Sequence, residues 1–336
     1  MKRSFARIAA VLCFLVVTLA GLLCPAPSQS AQKPAPKTKA PPRQMENLGR
    51  GVAAMNMGGG KVFVSWRLLG TDPDDIAFNL YRATGDGKPV KINTAPITDA
   101  TNYTDSGVDT AKSQAYFVRP IIKGVEQEMS KPFLNKLAAN APVRQYFEVP
   151  MKTPKGYTIN DCSVGDLDGD GEYEIVVHMT GRGKDNSQNG VTDQPILQAY
   201  KFDGTMLWSI NLGSNIREGA HYTQFMVYDL DGDGKAEVCC KTADGTVDGK
   251  GKVIGDPKAY WVGNDGRINK GPEYFTVFDG LTGAALATVD YIPGRGDISK
   301  WGGIGGNAGN DSIGNRADRF LACVAYLDGV HPSVVM

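Results

Sequence analysis

The chain has 336 residues, and 36 lysines and arginines balance 36 aspartates and glutamates, so the formal net charge at pH 7 is zero. A nucleic-acid-binding protein would show a concentrated basic excess, and this class is therefore excluded. Hydrophobic residues make up 42% of the chain, enough for a substantial core. The 41 glycines exceed the usual share and favour an all-β fold over a helical bundle, a coiled coil or a polytopic membrane protein.

The first residues, 1–30, have the layout of a secretory signal peptide. A basic stretch ending at Arg7 precedes an apolar run over residues 8–24, and small residues then offer a cleavage site before Ala31. An uncleaved membrane anchor is the alternative, because the run is only slightly shorter than a membrane span. We expect export to the cell exterior or the periplasm, with no membrane segment after cleavage. Residues 31–43 are rich in proline and lysine and predict an extended linker.

Residues 44–135 show the pattern of a small β-sandwich. Short alternating segments, such as Val-Phe-Val-Ser-Trp at 62–66, recur about every ten residues between turns rich in glycine, proline, asparagine and aspartate. Trp66 lies on an early segment and is interpreted as a core residue rather than as a platform for a sugar. Residues 136–336 form the second predicted domain, which opens with a connector over residues 136–150.

An internal repeat dominates the second domain. The sequence Asp-Leu-Asp-Gly-Asp-Gly occurs at 166–171 and again at 229–234, and each copy precedes an apolar strand, a long insertion and a hairpin signal. A third, degenerate copy begins at Tyr326. A repeated multi-strand unit of this kind predicts the blades of a β-propeller. The chain stops within a strand pattern after roughly three or four such units, so we expect this propeller to be incomplete.

Each acidic turn presents oxygen ligands at alternate positions. Carboxylates fall at positions 1, 3, 5 and 9 and a backbone carbonyl at position 7, an all-oxygen set that suits Ca²⁺ better than zinc or copper. An EF-hand is rejected, because position 12 is valine or cysteine and a strand pattern follows. A solvated acidic turn without a metal is the alternative. The predicted calcium ligands are Asp166, Asp168, Asp170, Glu172 and Glu174 in the first turn, and Asp229, Asp231, Asp233, Lys235 and Glu237 in the second.

Cysteine and histidine offer no second kind of metal centre. Four cysteines remain after the predicted signal peptide, none in a Cys-x-x-Cys pair, and they are interpreted as small buried residues. Only three histidines occur in the sequence, which argues against a histidine-rich metal centre. The predicted metal chemistry therefore depends on carboxylates.

Several long sequence blocks resemble the family 11 polysaccharide lyases, which are rhamnogalacturonan lyases. These blocks include MENLGRGVAAMNMGGGKVFVSW, NDCSVGDLDGDGEYEIVV and NIREGAHYTQFMVYDLDGDGKAEV, and the resemblance runs from about Gln44 to the last residue. It implies a fibronectin-III-like β-sandwich followed by an eight-bladed, calcium-stabilised β-propeller. It also implies cleavage of the rhamnogalacturonan I backbone of pectin by proteins that are longer than this chain.

Two further site residues are implied by this resemblance. Asp161 would join the first calcium turn, and Asn160 matches a family residue on the substrate cleft. One branch of the family has a Lys-Trp-Asp stretch after the first turn, where this chain has His178-Met179-Thr180. The contacts to individual sugars are therefore expected to differ from that branch.

β-Elimination at a galacturonate needs a cation or a basic side chain to neutralise the sugar carboxylate, and a base to remove the C5 proton. Arg217, His221 and Lys241 lie in the blocks around the second acidic turn and are the candidates. Arg217 would clamp the carboxylate and His221 would act as the base. The alternative is that these residues fix hydrogen bonds between blades.

Three hypotheses follow from these patterns. The first is a secreted, calcium-dependent, monomeric rhamnogalacturonan lyase, or the N-terminal portion of one, that acts on pectin. The second is a non-catalytic, calcium-loaded propeller that binds glycan or protein. The third is an inactive fragment of the lyase with folded calcium sites. Unsaturated uronate products are expected from the first alone.

Overall fold

A computed structural model describes residues 41–219, 222–296 and 318–336 of the chain. The predicted signal peptide over residues 1–30 lies outside these ranges. Within them the chain forms twenty strands and no helix, which confirms the predicted all-β fold. A helical segment with the length and apolarity of a membrane span is accordingly absent from this part of the chain.

Two sheets make up the N-terminal part of the fold. Their strands are β1 (Ala53–Gly58), β2 (Lys61–Ser65), β3 (Ala77–Thr84), β4 (Val90–Lys91), β5 (Asn102–Ser106), β6 (Gln114–Ile122), β7 (Val125–Glu126) and β8 (Lys136–Leu137). One sheet has the order β1-β2-β5 and the other β4-β3-β6-β7, with β8 also paired to β6. All of these pairs are antiparallel.

The two sheets share one hydrophobic core. Alternate residues of β6 are buried, as the two-residue period of a strand requires when one face is covered. Val64 of β2, Leu80 of β3 and Tyr116 of β6 meet in the core, so the sheets pack face to face. Trp66 is buried against Phe78, with ring centroids 5.5 Å apart, which confirms its predicted place in the core.

Three further sheets follow. Their strands are β9 (Thr158–Gly165), β10 (Glu174–Thr180), β11 (Ile196–Tyr200), β12 (Met206–Asn211), β13 (Phe225–Tyr228), β14 (Glu237–Thr242), β15 (Thr246–Val247), β16 (Val253–Ile254), β17 (Tyr274–Phe278), β18 (Ala285–Asp290), β19 (Cys323–Ala325) and β20 (Ser333–Val335). The sheet orders are β16-β15-β12-β11-β10-β9, β13-β14-β17-β18 and β19-β20. The two acidic turns occupy equivalent places, since the first connects β9 to β10 and the second connects β13 to β14.

The six-stranded and four-stranded sheets pack on a common core. Leu197, Val238 and Phe278 belong to it, and the indole of Trp208 donates a hydrogen bond of 2.6 Å to the carbonyl of Gly280 across the two sheets. The six-stranded and four-stranded sheets therefore share one continuous core.

Two cysteines differ from their prediction. Cys239 and Cys240 are buried on β14, as expected, but Cys162 and Cys323 are exposed. The prediction of burial was wrong for these two because β9 is the edge strand of its sheet and β19 belongs to a two-stranded sheet.

Candidate functional site

Three carboxylates of the first acidic turn converge. One oxygen from each of Asp166, Asp168 and Glu174 lies within 4.8 Å of the others. The Asp166 carboxylate is held by the backbone N–H of Gly171, 2.7 Å away, and Glu174 accepts a hydrogen bond of 2.8 Å from the N–H of Leu167. Glu174 reaches the group because it is the first residue of β10, directly after the turn.

The second acidic turn repeats this geometry. Oxygens of Asp229, Asp231 and Glu237 also lie within 4.8 Å of one another. Gly232 and Gly234 have φ angles of +81° and +91°, in the left-handed region that favours glycine, and both donate their N–H groups to the Asp229 carboxylate. Glycine at these two positions therefore allows the turn to wrap around its first aspartate.

Three of the other predicted ligands lie apart from these groups. Asp170 and Asp233, at position 5 of their turns, are exposed, and each accepts a hydrogen bond of 2.8 Å from the N–H two residues further on. Asp161 is exposed on β9, before the first turn begins. Their role as ligands stays a prediction.

The residues at position 7 have other contacts. The Glu172 carboxylate forms an ion pair of 2.9 Å with Arg67, whose guanidinium also lies 3.9 Å from the centre of the Tyr173 ring. Arg67 lies between β2 and β3 of the N-terminal sheets, so this pair connects them to the first turn. The side chain of Lys235 lies beside Gly169, which makes the two acidic turns direct neighbours. The ligand role predicted for the two position 7 carbonyls is not tested by these side-chain contacts.

The carboxylates of both turns carry charge that the protein leaves poorly compensated. Burial, reinforced by the neighbouring aspartates, raises the pKa of Glu174 and of Glu237 to about 7. Burial also raises the pKa values of Asp166 and Asp229. A hard cation would offset this charge, and the donors that converge are all oxygens. The residues present therefore fit calcium.

The two turns differ in one respect. Lys201 places its ammonium 2.5 Å from the Asp168 carboxylate in the first turn, and this hydrogen bond raises the pKa of Lys201. Within the described residues, the carboxylates of the second turn form no ion pair. The Lys201 ammonium thus partly neutralises the carboxylates of the first turn, whereas the carboxylates of the second turn have no such partner among the described residues.

Arg217 is buried, with 1% of its surface exposed. Its guanidinium donates to the backbone carbonyls of Gly190, Gly266 and Gln188, so it fastens the loop over residues 185–190 to the loop around residue 266. Burial lowers the pKa of its guanidinium. The clamp role of Arg217 stays a prediction.

Lys241 is also buried, on β14. Its ammonium lies 2.8 Å from Glu273 and 3.2 Å from Asp318, and 4.3 Å from the centre of the Phe320 ring. His221, the third catalytic candidate, lies outside the described residues. The described candidates are therefore both surrounded by internal partners, and the catalytic roles of all three stay predictions.

Asn160 is exposed on β9, and its side-chain nitrogen lies 3.4 Å from Nδ1 of His178. The other ring nitrogen of His178 lies 3.0 Å from the carboxylate of Glu218. Sequence reasoning missed Glu218 and the Lys201 pair, because 40 residues separate His178 from Glu218 and 33 separate Lys201 from Asp168. The only available signal was that both missed residues are charged and lie in or beside the repeated blocks.

Two family descriptions match nearly all of the described residues. Residues 43–134 match "Rhamnogalacturonan I lyases beta-sheet domain", and residues 144–336 match "Rhamnogalacturonan lyase family 11, C-terminal domain". The second match alone covers more than half of the chain.

Individual relatives agree with these matches. The chain is 47% identical to the rhamnogalacturonan endolyase YesW of Bacillus subtilis (strain 168), over 100% of this chain and 50% of YesW. It is 52% identical to the rhamnogalacturonan exolyase YesX of the same organism, over 88% of this chain and 46% of YesX. The chain therefore spans about half the length of the curated relatives it matches. The crystal structure of the exotype rhamnogalacturonan lyase YesX superposes with a TM-score of 0.74, covering 88% of this chain and 47% of that structure.

Proposed function

The chain belongs to rhamnogalacturonan lyase family 11, and we propose that it acts in the cleavage of the rhamnogalacturonan I backbone of pectin by β-elimination. The observation that carries this proposal is the identity of about 50% to rhamnogalacturonan lyases over most of the chain. Because the chain spans about half of those relatives, its own activity is part of the proposal.

The proposed reaction cleaves the C4–O bond of a galacturonate. A base takes the C5 proton, the C4–O bond breaks, and a C4=C5 double bond forms, while the departing oxygen takes up a proton. The C5 proton becomes acidic enough only when the charge of the adjacent carboxylate is compensated. Basic side chains or a bound cation could supply this compensation, and Arg217, His221 and Lys241 are the candidates of the sequence analysis.

We propose that calcium binds both acidic turns. Asp166, Asp168 and Glu174 would hold one ion, and the matching residues of the second turn another. Calcium supplies positive charge there and joins the start of one strand to the turn before it. In the proposed architecture, each acidic turn opens a blade of a β-propeller, and a fibronectin-III-like sandwich precedes the blades. The equivalent positions of the two turns in consecutive sheets support this arrangement.

Location and assembly are also part of the proposal. The basic and apolar pattern over residues 1–30 supports export through a signal peptide, and a polysaccharide too large to enter a cell requires an exported enzyme. We propose that the mature protein is a monomer.

The proposal is tested by incubating the purified chain with rhamnogalacturonan I and following the ultraviolet absorbance of unsaturated uronates. We expect a rise in the presence of calcium and a loss of the rise in excess chelator. A variant with Asp229→Asn and Asp231→Asn should need more calcium, whereas Asp86→Asn, which changes an exposed aspartate outside the acidic turns, should behave like the wild type. An absent rise in calcium would refute lyase activity of this chain.

A second candidate function is glycan binding without cleavage. One observation favours it: the charged groups of Arg217 and Lys241 are buried and engaged with internal partners. This function predicts saturable binding of rhamnogalacturonan I, measured by calorimetry, with no unsaturated product. The absorbance assay and the calorimetric titration together distinguish the two functions.

A further inference from the structure

Strand β9 carries a β-bulge opposite a buried histidine. The pairing of β9 with β10 shifts register between Val177 and Met179, so that two residues of β9, Asn160 and Asp161, face the single residue His178. Bulges bend a strand, redirect side chains, and are over-represented at sheet edges and beside functional sites. This bulge lies on the edge strand of the sheet, and both of its residues are exposed.

A hydrogen-bond chain leads from the bulge into the interior. Nδ2 of Asn160 lies 3.4 Å from Nδ1 of His178, and Nε2 of His178 lies 3.0 Å from Oε2 of Glu218. The side chains of His178 and Glu218 are 2% and 0% exposed. Because a carboxylate accepts hydrogen bonds, Nε2 of His178 carries the proton that is donated to Glu218, and Nδ1 is left to accept from the Asn160 amide. The carboxylate of Glu218 thus selects the tautomer of His178, and this tautomer selects the orientation of the Asn160 amide.

Glu218 is itself held in a costly arrangement. Its backbone N–H donates to Oγ1 of Thr192 at 3.0 Å, and its carbonyl accepts from the N–H of Lys184 at 3.0 Å. Its second carboxylate oxygen, Oε1, is buried without a hydrogen-bond partner among the described residues. A buried carboxylate with so few partners destabilises the fold, so its presence calls for a function that a hydrophobic residue could not perform.

We propose that His178 and Glu218 are positioning residues that fix the Asn160 carboxamide for glycan binding. The proposal depends on the proposed function, since the ligand is taken to be rhamnogalacturonan I. With Nδ2 directed at His178, Oδ1 of Asn160 is free to accept a hydrogen bond from a sugar hydroxyl, and the second amide hydrogen is free to donate. A fixed amide binds without losing further rotational freedom, whereas a free amide must be ordered by the ligand. His178 and Glu218 act through Asn160 and do not touch the sugar.

The test is a double-mutant cycle on glycan affinity. Rhamnogalacturonan I oligosaccharides are titrated calorimetrically into the wild type, Asn160→Ala, Glu218→Leu and the double variant. Asn160→Ala should weaken binding about tenfold, the loss of one or two polar contacts, and Glu218→Leu several-fold. The double variant should bind no more weakly than Asn160→Ala alone, because Glu218 acts only through Asn160. Glu218→Gln retains an acceptor oxygen and should stay within about twofold of the wild type.

Additive losses in the double variant would overturn the proposal, because an unrelated structural role of Glu218 would weaken binding regardless of Asn160. Thermal unfolding of each variant establishes that it is folded. If Glu218→Leu fails to fold, His178→Phe replaces it in the cycle, since it removes the Nδ1 acceptor itself.

A spectroscopic readout separates this proposal from the proposed function. Nitrogen-15 spectra of the wild type should show His178 as the Nε2–H tautomer, and the side-chain amide signals of Asn160 should shift in Glu218→Leu but not in Glu218→Gln. An Nδ1–H tautomer, or Asn160 signals that Glu218→Leu leaves unchanged, would overturn the positioning role. A wild type that shows the expected spectra but binds no oligosaccharide would instead refute the glycan ligand, and with it the proposed function.

Discussion

Replacing Glu174 or Glu237 by glutamine should change stability in opposite directions with and without calcium. Burial, reinforced by the neighbouring aspartates, raises the pKa of each glutamate from 4.5 to about 7 in the folded protein. A folded-state pKa above the unfolded value means that the folded protein binds the proton more tightly. The resulting stabilisation is complete below about pH 4.5 and is lost as the pH rises through about 7.

The size of the effect follows from the pKa change. A pKa that is higher by about 2.5 in the folded protein corresponds to about 3 kcal/mol of unfolding free energy for each glutamate. The calcium-free wild type should therefore become less stable by up to about this amount per glutamate between pH 4.5 and pH 7. Glutamine cannot ionise, so Glu174→Gln should be more stable than the wild type in chelator at pH 8. In calcium it should be less stable, because it lacks one charged ligand.

The measurement is urea unfolding at several pH values between 5 and 8, in excess calcium and in excess chelator. Glu128→Gln is the matched control, because Glu128 is exposed and lies outside both acidic turns. It should follow the wild type under both conditions. Calcium should stabilise the wild type increasingly as the pH rises, because protons and calcium compete for the same carboxylates.

Two results would refute this reasoning. In the first, the stability of the chelated wild type rises or stays level between pH 5 and pH 8. In the second, Glu174→Gln lowers stability equally in calcium and in chelator. Either result would mean that the two glutamates do not carry the uncompensated charge on which the calcium proposal depends.

Three further predictions concern single contacts. Lys201→Met should tighten calcium binding at the first acidic turn in a calorimetric titration, while lowering calcium-free stability by less than about 1 kcal/mol, because the partly exposed lysine competes with the metal for its carboxylate. Equal calcium affinities before and after the change would contradict this. Gly280→Ala should unfold at a much lower temperature than Gly294→Ala. A Cβ atom at Gly280 would lie 1.8 Å from a backbone carbonyl oxygen, whereas a Cβ atom at Gly294 would meet nothing within 4 Å. Similar melting temperatures of the two variants would be inconsistent with this packing. Phe278→Ala removes a side chain from the shared core and should lower the free energy of unfolding in urea by about 3–5 kcal/mol. Leu286→Ala should change this free energy little, because Leu286 is 60% exposed. A small loss of stability in Phe278→Ala would argue against the common core.

Much of the strand content could be predicted from the sequence, because it depends on local patterns. The alternating segment at 62–66 lies in β2 except for its last residue, and the segment at 115–118 lies within β6. The two hairpin signals after the acidic turns correspond to β11-β12 and β17-β18. Each of these features needs only neighbouring residues and a turn.

The acidic turns show where local reasoning stops. The spacing of Asp166, Asp168 and Glu174 brings their carboxylates together, because a turn and the first residue of the following strand suffice. The same spacing does not show that Asp170 faces solvent, or that Glu172 is paired with Arg67, 105 residues away in the chain. The backbone hydrogen bonds within the turn and the packing of distant strands decide which carboxylates point inwards.

The sequence by itself determined the all-β fold and the convergence of three carboxylates in each acidic turn, because short-range spacing and composition carry both. The place in the lyase family came from the resemblance of long sequence blocks to that family. Only the tertiary structure decided the surroundings of the charged side chains. Arg217 is buried and joins two loops through its hydrogen bonds, and His178 contacts Glu218 behind the bulge that contains Asn160. The physical reason is that burial and charge pairing arise between residues that are distant in the chain, and only the packing of the sheets brings them together.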